Sequence, residues 1–558
     1  MKATIMRASH VPILILFLQF TTLHAVSQAQ ESRSGSLTAL DVLQQAFAGE
    51  EQGPIKCGTG ALLEWRKQEA ASKSARILER PTLSDEYVTS DGLFRIHFTT
   101  TGGHAVDPTS TNGFGIPDYV YEVGLAASYS YRLLVDTLGY RAAASDRGAD
   151  GQEFDIYILD HPRGLYGLTY ADEPVPGSAN RYSSYCVIDN EFRSDEGYYT
   201  VGLDAMRVTV AHEYFHGVQF NYSTPKNEDI FFYETSSVWF EDVAYDDVDD
   251  YLGYLSDYFL QTAKPLYLRF MYGNGIWLTY LVKRFDVQIA REFWEAIETN
   301  TALLSMSEVL TQRGQTLSAA YSEFTIWLYF TGPRADPVRY FPEGAGYPLI
   351  RFDRRQILQS SISLTDSLPS LASRFYRFDS LKQELTVSHN TDTQPGRWRF
   401  ATITGNQQAD YDVQESSSGI PLAVRAAGRV DTLAVIVSNS SLSTLQYFFK
   451  YSLQISSGSM AGDSRLLPPG PNPFLPSSGE NLILRVTLDS NSEVEVFVLA
   501  EDGRKVRHIN RGFRGAGVDE IPWDGRNDDG EIVASGIYIV QVIAGGFQEA
   551  AKVAVIHR

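Results

Sequence analysis

The chain has 558 residues, of which 43% are hydrophobic and 21% charged, with a formal net charge of -21. That length exceeds what one core can serve, so three or four domains are expected, and the composition excludes wholesale disorder. A surface this acidic repels phosphate backbones and anionic lipid, which excludes nucleic acid or a membrane face as the main partner.

The N-terminus places Lys2 and Arg7 before an apolar run from Val11 to Phe20 and a small-residue exit around Ala25 to Gln30. This is the order of a bacterial secretory signal peptide over residues 1–29, cut near Ala29. The alternative, a membrane anchor, needs ~20 apolar residues, and the run is shorter. No later segment is long and apolar enough to span, so the mature chain is expected to be secreted, either free outside the cell or attached to its surface. Residues 30–92 are polar and rich in Ser and Glu, with helical patterns around Leu37 to Phe47 and Ala61 to Ala71, and read as an N-terminal extension or pro-segment.

From Leu93 the pattern changes. Phe94–Phe98 and Phe154–Leu159 alternate like strands, Tyr182 to Ile188 is a third strand candidate, and Pro117 opens a helical pattern that runs to about Leu138. Asp107, Asn112 and Asp118 have the spacing of a calcium loop, against which Pro108 and the missing acids favour a plain turn. Helical, aromatic-rich sequence follows from about Asp204 to Phe330, and residues 93–346 read as one α+β domain. Short alternating segments separated by turn residues then mark a β-sandwich over 347–456, and Ser456–Ser464 has linker composition. A second β module over 466–558 carries Pro471-Asn-Pro-Phe474, the turn-rich Trp523–Gly530 and Gly536-Ile-Tyr538.

The chemistry is concentrated in Ala211-His-Glu-Tyr-Phe-His-Gly217. On a helix, His212 and His216 lie one above the other and can grip one ion, with Glu213 beside it as general base. Imidazole is a preferred zinc ligand, and a hydrolytic zinc needs a third protein ligand and an open position for water. Glu234 and Glu241, in Phe231–Asp242, fall seven residues apart on one face of a second helix, so spacing leaves both in contention. Two cysteines are present, Cys57 and Cys186, enough for one disulfide in an oxidising compartment. Alternatively, Cys57 in Lys56-Cys-Gly-Thr59 blocks the metal as a thiolate from the pro-segment.

His-Glu-x-x-His, seventeen further residues and then Glu234-Thr-Ser-Ser-Val-Trp-Phe-Glu241 resembles the gluzincin clan, the thermolysin and zinc-aminopeptidase relatives. The resemblance implies a zincin-like α+β catalytic domain followed by two all-β sandwich modules. It makes Glu234 the third ligand of one catalytic zinc and gives Glu241 a supporting place. Tyr272-Gly-Asn-Gly275 is similar to a segment that supplies a catalytic tyrosine in zinc aminopeptidases, which implies Tyr272 as donor to the reaction's oxyanion, with Tyr267 as its substitute. Residues 55–345 more broadly resemble a family of secreted bacterial metallopeptidases. The Pro-Asn-Pro-Phe and Gly-Ile-Tyr motifs resemble type IX secretion sorting modules and the immunoglobulin-like module of the flagellar hook-cap protein FlgD, implying the secretion machinery as a partner.

Two functional readings follow. One is a zinc peptidase acting on protein or peptide; the other is a non-catalytic surface adhesion or binding protein whose metal helix is structural. Intact His212, Glu213, His216 and Glu234 favour the first, because a purely structural clasp has no use for a general base.

Overall fold

The computed structural model describes Leu43 and residues 54–557, apart from 72–77, 147–150, 163, 226–228, 269–270 and short stretches between 359 and 545. Residues 1–29, where a signal peptide is expected, most of residues 30–53 and most of the 456–464 stretch lie outside the described residues. Two compact units are present: one takes the described residues up to Tyr254 together with 271–305, the other takes 255–270 and 306 onwards.

The first unit is built on a six-stranded sheet. Its strands are β1 (Ile55–Cys57), β2 (Asp85–Val88), β3 (Phe94–Phe98), β4 (Phe154–Leu159), β5 (Leu165–Pro174) and β6 (Tyr182–Asp189), in the order β1-β5-β6-β4-β3-β2. Strands β3, β4 and β6 run parallel; β5 opposes β6, and β1 lies parallel to β5 with Cys57 opposite Gly167. The alternating apolar residues of β4 serve two faces. Tyr157 and Leu159 pack with Leu62 and Trp65 of helix α1 (Thr59–Ala71). On the other side, Phe94 and Phe154 set their rings edge-on against Tyr214, with centroids 5.1 and 5.3 Å away.

Tyr214 belongs to α3 (Gly202–Phe220), which follows α2 (Asp118–Tyr131) and precedes α4 (Ile230–Ala244). From Ala205 to Phe220 all but one residue of α3 is buried, so the helix is enclosed on every side. Two glycines let it sit that close. A Cβ on Gly217 would meet the Phe154 ring at 2.7 Å, and one on Gly167 would meet Glu213 and Thr209 at 2.9 Å. Helices α5 (Gly275–Arg284) and α6 (Gln288–Ala296) follow, Gly275 lying against Val238 of α4.

The division drawn at Leu93 therefore runs through a sheet. Residues 55–57, 59–71 and 85–88 supply both outer strands and part of the core of the same unit. Strand β5 has no clean alternation in its sequence, because its first seven residues are all buried and Gly167 interrupts the run.

In the second unit, α7 (Leu317–Tyr329) precedes a five-stranded and a four-stranded sheet over residues 354–457, which share a core that includes Phe400, Val435 and Leu453. Residues 465–555 form a three-stranded and a four-stranded sheet around Trp523, Phe474 and Val540. The described residues are thus mixed α and β up to about residue 334 and all β from Arg354 on. No helix among the described residues is long and apolar enough to cross a membrane.

Candidate metal centre

His212 and His216 leave one face of α3, and each ring is fixed through Nδ1. His212 Nδ1 donates to Glu241 Oε1 at 2.6 Å, and His216 Nδ1 donates to Gln219 Oε1 at 2.7 Å. The orientation of the Gln219 amide is set from its other end, where Nε2 donates to Ser237 Oγ at 3.0 Å and to the Tyr233 carbonyl at 3.2 Å. With the ring protons held at Nδ1, both Nε2 lone pairs point inward, and the two nitrogens lie 3.1 Å apart. Two lone pairs at that separation repel unless a positive charge stands between them.

Glu234, projecting from α4, brings Oε2 to 3.2 Å from His212 Nε2 and Oε1 to 3.7 Å from His216 Nε2. Cys57, at the end of β1, brings Sγ to 3.4 Å from His216 Nε2. Ligand atoms of all four residues lie within 4.8 Å of one another, and all four residues are buried. A tetrahedral zinc site with bonds of about 2.0–2.3 Å sets its ligand atoms about 3.3–3.6 Å apart; the separations of 3.1–3.7 Å lie close to that range and the donor types are those zinc takes, so the group suits such an ion.

The electrostatics point the same way. Burial alone would lower the pKa of His212, but the Glu234 and Glu241 carboxylates outweigh it and push the imidazole up to about 10. Burial likewise works to raise Glu234, yet the neighbouring His216 and His212 bring it down to about 2. The pocket therefore favours positive charge at His212, beside the place a cation would occupy. Burial pushes the Cys57 thiol up, with the Glu213 and Glu234 carboxylates adding to it; a bound cation would reverse that preference.

Glu213 is fully buried beside this cluster. Thr169 Oγ1 lies 2.7 Å from its Oε2, while Oε1 has no hydrogen-bond partner among the described residues. Burial raises its pKa, the direction that favours a general base working near neutral pH. Tyr272, in the 3-10 turn before α5, is held to β1: the Cys57 N–H donates to its hydroxyl at 3.1 Å, and the hydroxyl donates to the Cys57 carbonyl at 3.1 Å.

Glu241 is not among the converging ligand atoms. Its Oε2 instead meets Lys56 Nζ at 2.8 Å, and that buried ammonium also contacts Asp250 Oδ2 at 2.5 Å. Lys56, Thr169 and Gln219 went unnoticed in the sequence. Gln219 stands three residues after His216 on the same helix and could have been found by spacing. Lys56 and Thr169 meet the centre only through the sheet register and give no local signal.

The Cys57–Cys186 disulfide is overturned: both cysteines are free thiols. Cys57 pairs across to β5, whose Thr169 pairs with Cys186 of β6, so two strand spacings of about 4.8 Å separate them. A bridge needs Cα atoms within about 7 Å. The stretch with calcium-loop spacing is a turn closed by its own bonds. Asp118 accepts from Thr111 and Asn112, and Asp107 accepts from Thr109.

Residues 476–546 match the FlgD Ig-like domain family, within the terminal β module. No curated protein matches the chain. Among solved structures it is similar to PorZ, a surface component of the type-IX secretion system of Porphyromonas gingivalis, at 22% identity over 19% of this chain and 14% of that one, with a TM-score of 0.14. It is similar to dimeric latent PorU of the same organism at 14% identity over 37% of this chain and 19% of that one, with a TM-score of 0.16. The YPM mitogen of Yersinia pseudotuberculosis is 10% identical over 18% of this chain and 90% of its own, with a TM-score of 0.15. The chain spans less than a fifth of PorZ and of PorU.

Proposed function

We propose that this chain is a secreted, zinc-dependent peptidase with a zincin-like catalytic domain, exported with the help of its terminal FlgD-like module. One observation carries the reading: two imidazole lone pairs and the Glu234 carboxylate converge on one point, while both ring protons are tied off behind them. An adhesin has no need of that arrangement, nor of a buried carboxylate beside it with one oxygen free.

A zinc ion held there by His212, His216 and Glu234 would acidify a water and polarise the substrate carbonyl. The protein's own groups do the rest. Glu213 Oε1 takes the water's proton as it attacks the carbonyl carbon and returns a proton to the departing amine. Thr169 holds the other oxygen of Glu213, so the carboxylate cannot swing away. Tyr272 supplies a hydroxyl for the developing oxyanion, once it is released from the Cys57 backbone.

The test is direct. Protein beginning at residue 30 is expected to bind one zinc and to hydrolyse casein, with a chelator stopping the reaction. Glu213→Gln should keep the zinc while hydrolysis falls about 10²–10⁴-fold. Parental activity in Glu213→Gln would refute this mechanism.

A further inference from the structure

We propose that Cys57 is the fourth protein ligand of this metal centre, so that the protein folds with its coordination sphere closed and with β1 lying where substrate must lie. The inference rests on the peptidase reading and adds to it a built-in state of latency.

Several independent contacts place the thiol there. Its Sγ is 3.4 Å from His216 Nε2, close to the separation of about 3.5 Å that a thiolate and an imidazole adopt on one tetrahedral zinc. The Thr59 N–H donates to the same sulfur at 3.3 Å and fixes its direction. On one side the neighbouring Lys56 is anchored by Glu241 and Asp250; on the other, Thr59 Oγ1 accepts the Thr169 N–H at 2.7 Å. The side chains of Lys56, Cys57 and Thr59 are all buried. Meanwhile the buried Glu213 Oε1 has no hydrogen-bond partner among the described residues, and Glu234 turns its carboxylate to the imidazoles with Oε2 3.2 Å from His212 Nε2, so the sulfur joins a cluster that already presents carboxylate oxygens.

The backbone of β1 matters as much as the thiol. An extended peptide binds most simply by adding to a sheet edge through main-chain hydrogen bonds. The edge beside Glu213 is β5, and β1 already occupies it, with the Ile55 N–H on the Gly164 carbonyl at 2.7 Å and the Gly58 N–H on the Gly167 carbonyl at 2.8 Å. The far side of Cys57 is closed by Tyr272, which holds both its N–H and its carbonyl. A zinc with three protein ligands keeps a position for water; with Cys57 as a fourth it does not. Opening would then be a ligand exchange in which the metal–sulfur bond breaks, water takes the vacated position, and the released thiolate takes up a proton from solvent.

Cobalt substitution reads the sulfur without relying on turnover. Cobalt(II) bound by a thiolate has an intense near-ultraviolet charge-transfer band that nitrogen and oxygen ligands lack. Cobalt-loaded protein beginning at residue 30 should show this band. Cys57→Ser and Cys57→Ala should lose it while still binding one cobalt, and Cys186→Ser should keep it. Zinc-loaded Cys57→Ala should also hydrolyse casein at least about tenfold faster than the parent, whose rate is scaled down by its open fraction. One cobalt bound without the band would overturn the proposal and leave the peptidase reading standing. A band with no gain in rate on removing the thiol would overturn the closed state. Protein that binds neither cobalt nor zinc would sink this proposal and the peptidase reading together.

Discussion

Glu241 and Gln219 do the same work on two rings: each uses one oxygen to hold an Nδ1 proton, and in doing so aims the opposite nitrogen. Their removal therefore differs from removal of a ligand. Glu241→Gln should weaken zinc binding by about 10–100-fold, whereas Glu234→Gln should lose stoichiometric zinc, and competition with a chromogenic chelator separates the two. Asp250 permits a prediction with a definite sign. Burial tends to raise its pKa, but the charge and hydrogen bond of Lys56 lower it further, so its folded value lies below the unfolded value of about 3.9. Such a carboxyl contributes stability above the unfolded pKa and loses it as pH falls through the folded one. Asp250→Asn should thus destabilise the protein at pH 7 and flatten the acid side of its stability curve, read as the denaturant midpoint between about pH 7 and pH 3.

At the scale of elements, the centre depends on how closely α3 rests on the sheet. Gly167 of β5 lies directly under Glu213, and the space where its Cβ would stand is already taken by Glu213 and Thr209. Gly167→Ala is expected to cost about 1–3 kcal/mol in chemical denaturation, in the range of other overpacked sites. Its effect on function should be selective: hydrolysis falls because Glu213 is displaced, while zinc content holds because the imidazoles face the other partner helix. Equal loss of zinc and activity would mean that the glycine supports the whole centre rather than the base. The same element explains a gap in the sequence reading. Strand β5, which carries Gly167 and Thr169, is buried on both faces along its first seven residues, so it lacks the polar alternation by which β3 and β4 are recognised.

For the whole molecule, the separate cores predict separate responses. Residues 465–557 have their own core around Trp523, and Trp523→Ala should destabilise that module by about 3–5 kcal/mol without changing zinc content. Zinc should act in the opposite pattern. At a free concentration 100 times its Kd it would add about 2.7 kcal/mol to the unit that binds it, so a chelator should shift one thermal transition and leave that of the terminal module in place.

What the sequence determined by itself was local. A four-residue interval on a helix puts His212 and His216 on one face, a seven-residue interval keeps Glu234 and Glu241 on another, and strand and turn patterns mark the β modules. It left two carboxylates in contention, because both satisfy the same helical spacing, and it left Cys57 between a disulfide with Cys186 and a place at the metal. Only the tertiary structure decided that Glu234 faces the imidazole lone pairs while Glu241 holds a ring proton, and that Cys57 lies beside His216 rather than Cys186. The reason is physical: these contacts join segments up to 159 residues apart, and their partners are chosen by sheet register and helix approach, which no interval along the chain encodes.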